Sequence, residues 1–176
     1  LNDTRQISRL LVHPTNPDIA FAATMGELYS PNPDRGLYRT ADGGVTWTRV
    51  SPAGQNPAVT SITQDTRPGR TNNWYYTTGE GYGASSSASG AYYLGNGLYR
   101  STDGGITWSV VTSSSSNTPH TFDNVWDLSW RVALDPSDTI NSVVYVATYG
   151  AIFRSANGGT SWAVDRGNNS GSAFSY

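Results

Sequence analysis

GLYRTADGGVTWTRV, at residues 36–50, recurs as GLYRSTDGGITWSVV at residues 97–111 and as AIFRSANGGTSWAVD at residues 151–165. In each copy an acid or amide precedes a Gly-Gly pair, and the three are Asp42, Asp103 and Asn157. The copies are therefore 61 and 54 residues apart. A period of this length is typical of stacked supersecondary units, so the chain is predicted to contain three similar units in series.

Each copy is predicted to form a β-hairpin. In the first copy, Leu37 and Tyr38 form the apolar part of a short strand. The side chain of Asp42 can accept hydrogen bonds from the backbone further along the turn, and the two glycines supply the positive φ values that a tight turn needs. Trp47 then begins a second strand with a ring large enough to pack between neighbouring units. The repeat therefore predicts a hairpin with a buried aromatic ring at its exit.

These residues resemble the Asp-box, or bacterial neuraminidase repeat, whose pattern is Ser/Thr-x-Asp-x-Gly-x-Thr-Trp. Residues 40–47 and 101–108 match it completely, and residues 155–162 replace Asp with Asn and Thr with Ser. In that family the box lies on the turn between the third and fourth strands of a β-propeller blade and is not catalytic. The resemblance implies a structural role for these box residues: Asp42, Gly44, Thr46, Trp47, Asp103, Gly105, Thr107, Trp108, Asn157, Gly159, Ser161 and Trp162.

Four strands are predicted around each box, and no ten-residue window shows helical periodicity. They cover residues 7–13, 18–24, 37–40 and 45–50 in the first unit, 59–65, 74–78, 98–101 and 106–111 in the second, and 128–134, 143–148, 152–155 and 160–164 in the third. The fold is therefore predicted to be all-β, with three consecutive four-stranded antiparallel propeller blades at 7–50, 58–111 and 126–165. Residues 166–176 are predicted to be a tail or the start of a further blade. Because propellers close with about four to eight blades, other blades or copies are needed to complete the ring.

The composition argues against several classes of partner. The net charge of −2 gives no reason to expect a nucleic-acid partner. No apolar run approaches the roughly 20 residues of a spanning helix, so membrane insertion is not expected. The low charged fraction of 14%, together with the family resemblance, predicts an extracellular or cell-surface location.

The candidate ligand-binding residues lie in the loops between the second and third strands and in the connection at residues 112–127. Long loops on a regular scaffold are where binding residues concentrate. Aromatic rings there could stack on sugars while Glu27 and Glu80, the only glutamates, bind hydroxyls or act as an acid and base pair. The alternative, which the sequence favours, is that tyrosine and glycine simply build ordered loops and that both glutamates are solvated. The candidate ligand-binding residues are Tyr29, Tyr82, Tyr92, Tyr93, His120 and Trp126.

No metal site or cofactor is predicted. Two isolated histidines do not have zinc-ligand spacing. Asp123 and Asp127 could ligate calcium, but they lack the alternating acids of a calcium-binding hand, so calcium is only an open possibility.

Nearly the whole chain resembles the Asp-box propellers of secreted bacterial surface proteins, sortilin-type receptors, a photosystem assembly factor and xyloglucan-degrading glycosidases. Those glycosidases place a catalytic Asp just after a second strand, where this chain has Met25, Gly79 and Tyr149. The resemblance therefore implies a non-catalytic extracellular module for binding, adhesion or surface assembly, with a protein or a glycan as partner. Two alternatives are a fragment of a glycan-cleaving propeller and a self-associating structural subunit.

Overall fold

The computed structural model describes residues 1, 4–26, 33–54, 58–80 and 94–168. These residues form three four-stranded sheets, one around each copy of the repeat. The first sheet contains β1 (Gln6–Val12), β2 (Ala20–Gly26), β3 (Gly36–Thr40) and β4 (Thr48–Arg49). The second contains β5 (Val59–Gln64), β6 (Trp74–Thr78), β7 (Leu98–Ser101) and β8 (Ser109–Val110), and the third contains β9 (Ser129–Leu134), β10 (Val144–Thr148), β11 (Ala151–Ser155) and β12 (Ala163–Gly167).

Each sheet is an antiparallel meander in which consecutive strands are neighbours. The prediction of three consecutive four-stranded antiparallel sheets is therefore confirmed. Two 3₁₀ helices of three residues each, Thr112–Ser114 and Val125–Asp127, lie between the second and third sheets. In the described ranges, no helix is long and apolar enough to cross a membrane.

The first strands of the three sheets lie beside one another, β1 against β5 and β5 against β9. The hydroxyl of Ser8 donates to the carbonyl of Val59 at 2.6 Å, and the hydroxyl of Thr60 donates to the carbonyl of Ser129 at 2.5 Å. These contacts join neighbouring sheets along one side of the molecule. The fourth strands lie on the opposite side of each sheet.

The core is divided into two clusters, one between each pair of neighbouring sheets. Buried aromatic rings dominate both clusters because they cover large areas and pack edge to face or offset-stacked. Tyr76 stacks on Tyr99 with ring centroids 4.7 Å apart, and Trp126 stacks on Phe153 at 4.5 Å. The first cluster contains Phe21, Ala23, Leu37, Val59, Ile62, Trp74, Tyr76, Tyr99 and Trp108, and the second contains Tyr75, Leu98, Val125, Trp126, Val132, Val144, Val146, Ala151 and Phe153.

The fourth strand of each sheet begins later than its sequence predicts. The predicted strands started at residues 45, 106 and 160, but β4, β8 and β12 begin at Thr48, Ser109 and Ala163. The prediction is wrong there because the intervening backbone N–H groups bond to the box side chain rather than to a neighbouring strand. At its other end β12 continues through Arg166 and Gly167, the first two residues of the predicted tail.

Candidate functional site

The carboxylate of Asp103 closes the turn in the second copy of the box. It accepts hydrogen bonds from the backbone N–H groups of Ile106 and Thr107, each at 3.0 Å, and from the Thr107 hydroxyl at 2.6 Å. The hydroxyl of Ser101 donates to the same carboxylate at 2.7 Å and accepts from the N–H of Gly105 at 2.9 Å. One carboxylate and one hydroxyl thus accept the hydrogen bonds of the backbone N–H groups in the turn. The carboxylate is therefore already occupied by its own turn and has little remaining ability to bind a ligand.

The first copy repeats this arrangement around Asp42. The N–H and hydroxyl of Thr46 donate to the Asp42 carboxylate at 2.9 and 2.5 Å. Thr40 takes the place of Ser101, because its hydroxyl donates to Asp42 at 2.7 Å and accepts from the N–H of Gly44 at 2.9 Å. The hydrogen bonds from Thr46 and Thr107 lower the pKa values of Asp42 and Asp103 to about 2. Both groups are therefore ionised at neutral pH and unsuited to act as proton donors there.

The third copy makes the same turn without a charge. Asn157 accepts from the N–H of Ser161 at 2.9 Å through its amide oxygen, and its amide nitrogen donates to the Ser161 hydroxyl at 2.9 Å. The side-chain hydrogen bond has reversed direction, since Thr46 and Thr107 donate to their acids. The turn geometry thus needs an acceptor at this position, but not an acid.

Of the two glutamates that would be catalytic if the chain belonged to a glycosidase, only Glu80 lies within the described ranges. It follows β6 at the edge of the second sheet opposite the box turn, and its side chain is fully buried. Among the residues that the structure describes, neither of its carboxylate oxygens has a hydrogen-bond partner. Burial raises the pKa of Glu80 to about 6, and the charge of Arg35 opposes that rise. Glu80 is therefore a carboxyl group that can hold a proton in mildly acidic solution.

The remaining loop candidates are not brought together in the described structure. His120 lies exposed in a turn with a φ of 69°. Trp126 is buried, and its indole packs against Phe153 and against Trp162, whose ring centroid is 4.9 Å away. Five candidates lie outside the described residues: Glu27, Tyr29, Tyr82, Tyr92 and Tyr93.

The two acids considered for calcium each hold a loop. The carboxylate of Asp123 accepts from Ser116, Thr118 and Asn124, with the Asn124 amide at 2.7 Å. The carboxylate of Asp127 accepts from the backbone N–H groups of Asp123 and Asn124, each at 3.0 Å. Among the residues that the structure describes, no group of three His, Cys, Asp or Glu side chains could hold a metal ion.

Sequence reasoning missed a buried ion pair between the second and third sheets. The guanidinium of Arg67 donates to the Asp65 carboxylate at 2.7 Å, and both side chains are buried. Nη1 of the same guanidinium donates to the carbonyls of Asp138 and Asn141, in the turn that joins β9 to β10. The run DTR at residues 65–67 shows no periodicity that would indicate this contact, because the partner carbonyls lie some 70 residues away.

Comparison with known proteins identifies the fold. No protein-family model and no curated protein matches the chain. Among solved structures, a GH74 enzyme of Niastella koreensis aligns with a TM-score of 0.62 and 20% identity over 96% of this chain and 24% of its own. An ancestral GH74 enzyme aligns with a TM-score of 0.61 and 23% identity over 90% of this chain and 18% of its own. The chain thus spans about a quarter or less of the length of these enzymes, and its three sheets have the fold of consecutive β-propeller blades.

Proposed function

We propose that this chain is a non-catalytic part of an extracellular β-propeller that binds or assembles with a protein or glycan, and that further blades complete its ring. The observation that carries the proposal is the use of carboxylates inside the turns. Asp42 and Asp103 each bond to the backbone of their own turn, and Asn157 forms the same turn without an acid. The repeated box therefore shapes the backbone of its turn, and any catalytic or binding residues would lie in other parts of the propeller.

The other described acids support the same interpretation. Asp65 pairs with Arg67, while Asp135 and Asp138 accept hydrogen bonds from their own turns. A glycosidase needs two carboxyl groups about 5–10 Å apart in one cleft. Asp135 and Asp138 share the turn that joins β9 to β10, but each carboxylate accepts hydrogen bonds from the backbone of that turn, as a structural acid does.

Binding without cleavage is the test of this proposal. The purified chain would be titrated with soluble polysaccharides by calorimetry, and the same mixtures would be assayed for new reducing ends. We expect binding of at least one polysaccharide with no new reducing ends. Release of sugar by the wild-type chain would contradict the non-catalytic assignment, and absence of binding to every glycan would leave a protein as the partner to be sought.

The second candidate is a fragment of a glycan-cleaving propeller, and Glu80 favours it. A buried carboxyl group with a pKa near 6 is suited to donate a proton to a leaving group. The likeness of the fold to GH74 enzymes is compatible with this candidate. A variant with both Glu27→Gln and Glu80→Gln would lose any measured cleavage of xyloglucan if these acids are catalytic. Asp165→Asn, a change of an exposed acid on β12, would be the matched control and should cleave as wild type.

A further inference from the structure

Two rows of side chains recur on the opposite faces of every sheet. Each row is a set of cross-strand register partners on the first three strands of a sheet. We call the row that points towards the earlier sheet the preceding row and the row that points towards the later sheet the following row. The preceding rows are Leu10–Ala22–Tyr38, Ile62–Tyr76–Tyr99 and Val132–Val146–Phe153, and the following rows are Leu11–Phe21–Arg39, Thr63–Tyr75–Arg100 and Ala133–Tyr145–Arg154.

The second and third positions of the following row have the same chemistry in all three sheets. An arginine on the third strand lies over an aromatic ring on the second strand, with the guanidinium carbon 5.9 Å from the ring of Phe21, 5.6 Å from Tyr75 and 5.9 Å from Tyr145. Such cation–π contacts fix the orientation of both groups. The third sheet therefore presents the same arginine–aromatic pair as the two sheets that already have a later neighbour.

In both closed junctions this aromatic ring meets the glycine turn of the next sheet. A Cβ atom added to Gly105 would lie 2.3 Å from the ring of Phe21, so only glycine fits against that ring. The hydroxyl of Tyr75 donates to the carbonyl of Gly158 at 3.3 Å. The Gly-Gly turn of one sheet is thus the part that approaches the aromatic of the sheet before it.

Among the described residues, the first sheet has no earlier sheet against its glycine turn, and the third sheet has no later sheet against its aromatic ring. Gly44 is exposed, whereas its equivalents Gly105 and Gly159 are buried. Likewise Leu10 is 58% exposed, whereas its equivalents in the second and third sheets, Ile62 and Val132, are 1% and 7% exposed. At the first sheet the glycine turn and Leu10 are therefore exposed, whereas Tyr38 is half-buried and Ala22 lies buried between them in the row.

At the third sheet the exposed part of the contact is the aromatic ring of the following row. Tyr145 is only half-buried, whereas its equivalents Phe21 and Tyr75 are 0% and 1% exposed. Its hydroxyl accepts from Arg154 within the same sheet at 3.2 Å, whereas Tyr75 reaches the next sheet. Ala163, the register partner of Arg154 on β12, is exposed beside it.

We infer that a second copy of this chain docks head to tail, with its glycine turn at Gly43 and Gly44 and its preceding row against the following row around Tyr145. This contact would repeat the two junctions already present between neighbouring sheets. The inference rests on the proposed function, in which further blades complete the ring. Two copies supply six blades, within the range of about four to eight in which propellers close, whereas three copies would supply nine. The expected assembly is a dimer with two identical junctions.

Cross-linking tests the contact directly because the chain contains no cysteine. Ser109 and Thr160 line one groove between the second and third sheets, and the repeat places Ala163 and Val45 at the equivalent positions. An Ala163→Cys variant mixed with a Val45→Cys variant should form a heterodimer with a short bismaleimide linker. The matched control is Ile106→Cys, the same box position on the second sheet, which is exposed but belongs to a junction already occupied. Equal cross-linking of both mixtures, or of neither, would overturn the proposal.

Sedimentation of the unmodified chain provides the second measurement. We expect twice the monomer mass of 18.9 kDa and dissociation to monomer in Leu10→Glu. Ile140→Glu, which changes an apolar residue that is 82% exposed outside both rows, should remain a dimer. A wild-type monomer at high concentration would overturn the proposal and leave a blade of the same polypeptide as the occupant. Glycan binding by such a monomer would support the proposed function while contradicting the docking contact. A dimer that binds no partner would support the docking contact while contradicting the proposed function.

Discussion

The indole nitrogen of Trp162 donates a hydrogen bond of 3.0 Å to the hydroxyl of Ser113, which belongs to the segment after the second sheet. The equivalent nitrogens of Trp47 and Trp108 instead donate to carbonyls in their own turns, each at 3.1 Å. The Ser113 hydroxyl in turn donates to the carbonyl of Gly159. The indole N–H of the third box therefore joins two sheets, whereas the indole N–H groups of the first two boxes bond only within their own hairpins.

Ser113→Ala should destabilise the junction between the second and third sheets. The variant loses one hydrogen bond from Trp162 and one to Gly159, and a net loss of about 1–2 kcal/mol in the free energy of unfolding is expected. Urea denaturation followed by tryptophan fluorescence measures this change. Ser109→Ala, an exposed serine on the neighbouring strand, is the control and should unfold as wild type. Equal midpoints for the two variants would show that the bond across the junction contributes nothing.

Gly105→Ala should be far more damaging than alanine at a glycine with a similar backbone. Gly105 and Gly69 have φ values of 80° and 77°, so both substitutions introduce the same backbone strain of about 1 kcal/mol. A Cβ at Gly69 meets nothing within 4 Å, whereas one at Gly105 meets the ring of Phe21. The overlap should cost roughly a further 1–3 kcal/mol. Thermal and urea unfolding of the two variants would isolate this steric part, and similar losses would contradict the close approach.

The box acids should make the protein sensitive to acid within a defined range of pH. Asp42 and Asp103 have pKa values of about 2 in the folded chain, below the ordinary value of 3.8. A lowered folded-state pKa stabilises the fold above the unfolded value, and this contribution is lost as pH falls from about 4 to about 2. A variant with Asp42→Asn and Asp103→Asn should keep both turns, as Asn157 does in the third copy. It should lose less stability than wild type as the pH falls from about 4 to about 2. Unfolding midpoints measured from pH 5 to pH 2 would test it, and parallel curves for both proteins would refute it.

Glu80 should act on stability in the opposite direction. Its pKa is raised from 4.5 to about 6, so the folded chain binds a proton more tightly than the unfolded chain. This contribution is fully present below about pH 4.5 and is lost as the pH rises towards 6 and above. Glu80→Gln should remove the dependence and be more stable than wild type at pH 7, and Asp165→Asn should not. A wild-type midpoint that is constant between pH 4 and pH 7 would contradict this prediction.

Arg67→Met should be among the most destabilising single changes. Removal of the guanidinium leaves Asp65 buried without its partner, which costs about 3–5 kcal/mol in comparable buried pairs. It also deprives the carbonyls of Asp138 and Asn141 of a donor. Adding Asp65→Asn to the Met variant removes the uncompensated charge and should recover part of the loss. If the double variant is no more stable than Arg67→Met alone, the charge is not the cause.

Much of the architecture follows from local sequence. The strands predicted at 74–78 and 98–101 are observed as β6 (Trp74–Thr78) and β7 (Leu98–Ser101), because apolar and aromatic runs bounded by glycine or polar turns specify strands directly. The late start of the fourth strands was missed, since a side-chain acceptor at Asp103 outcompetes the neighbouring strand for the N–H groups of Ile106 and Thr107. Periodicity carries no information about that competition.

The candidate site was less predictable. Trp126 is flanked by acids in a long connection and suggested an exposed ligand contact, yet Phe153 and Trp162 cover it in the core. Glu80 gave no signal of burial, because its neighbours in sequence are polar or glycine. The burial of a side chain depends on which residues of another sheet pack against it. The spacing of residues along the chain carries no information about that packing.

By itself the sequence determined that there are three hairpin-centred sheets and which acids close their turns, since both follow from contacts within a few residues. Only the tertiary structure decided which faces are occupied. It buried Tyr75 beneath a later sheet while leaving the equivalent Tyr145 accessible. The two tyrosines occupy equivalent register positions, each opposite an arginine on the third strand. They differ because, among the described residues, a later sheet excludes water from Tyr75 and none covers Tyr145.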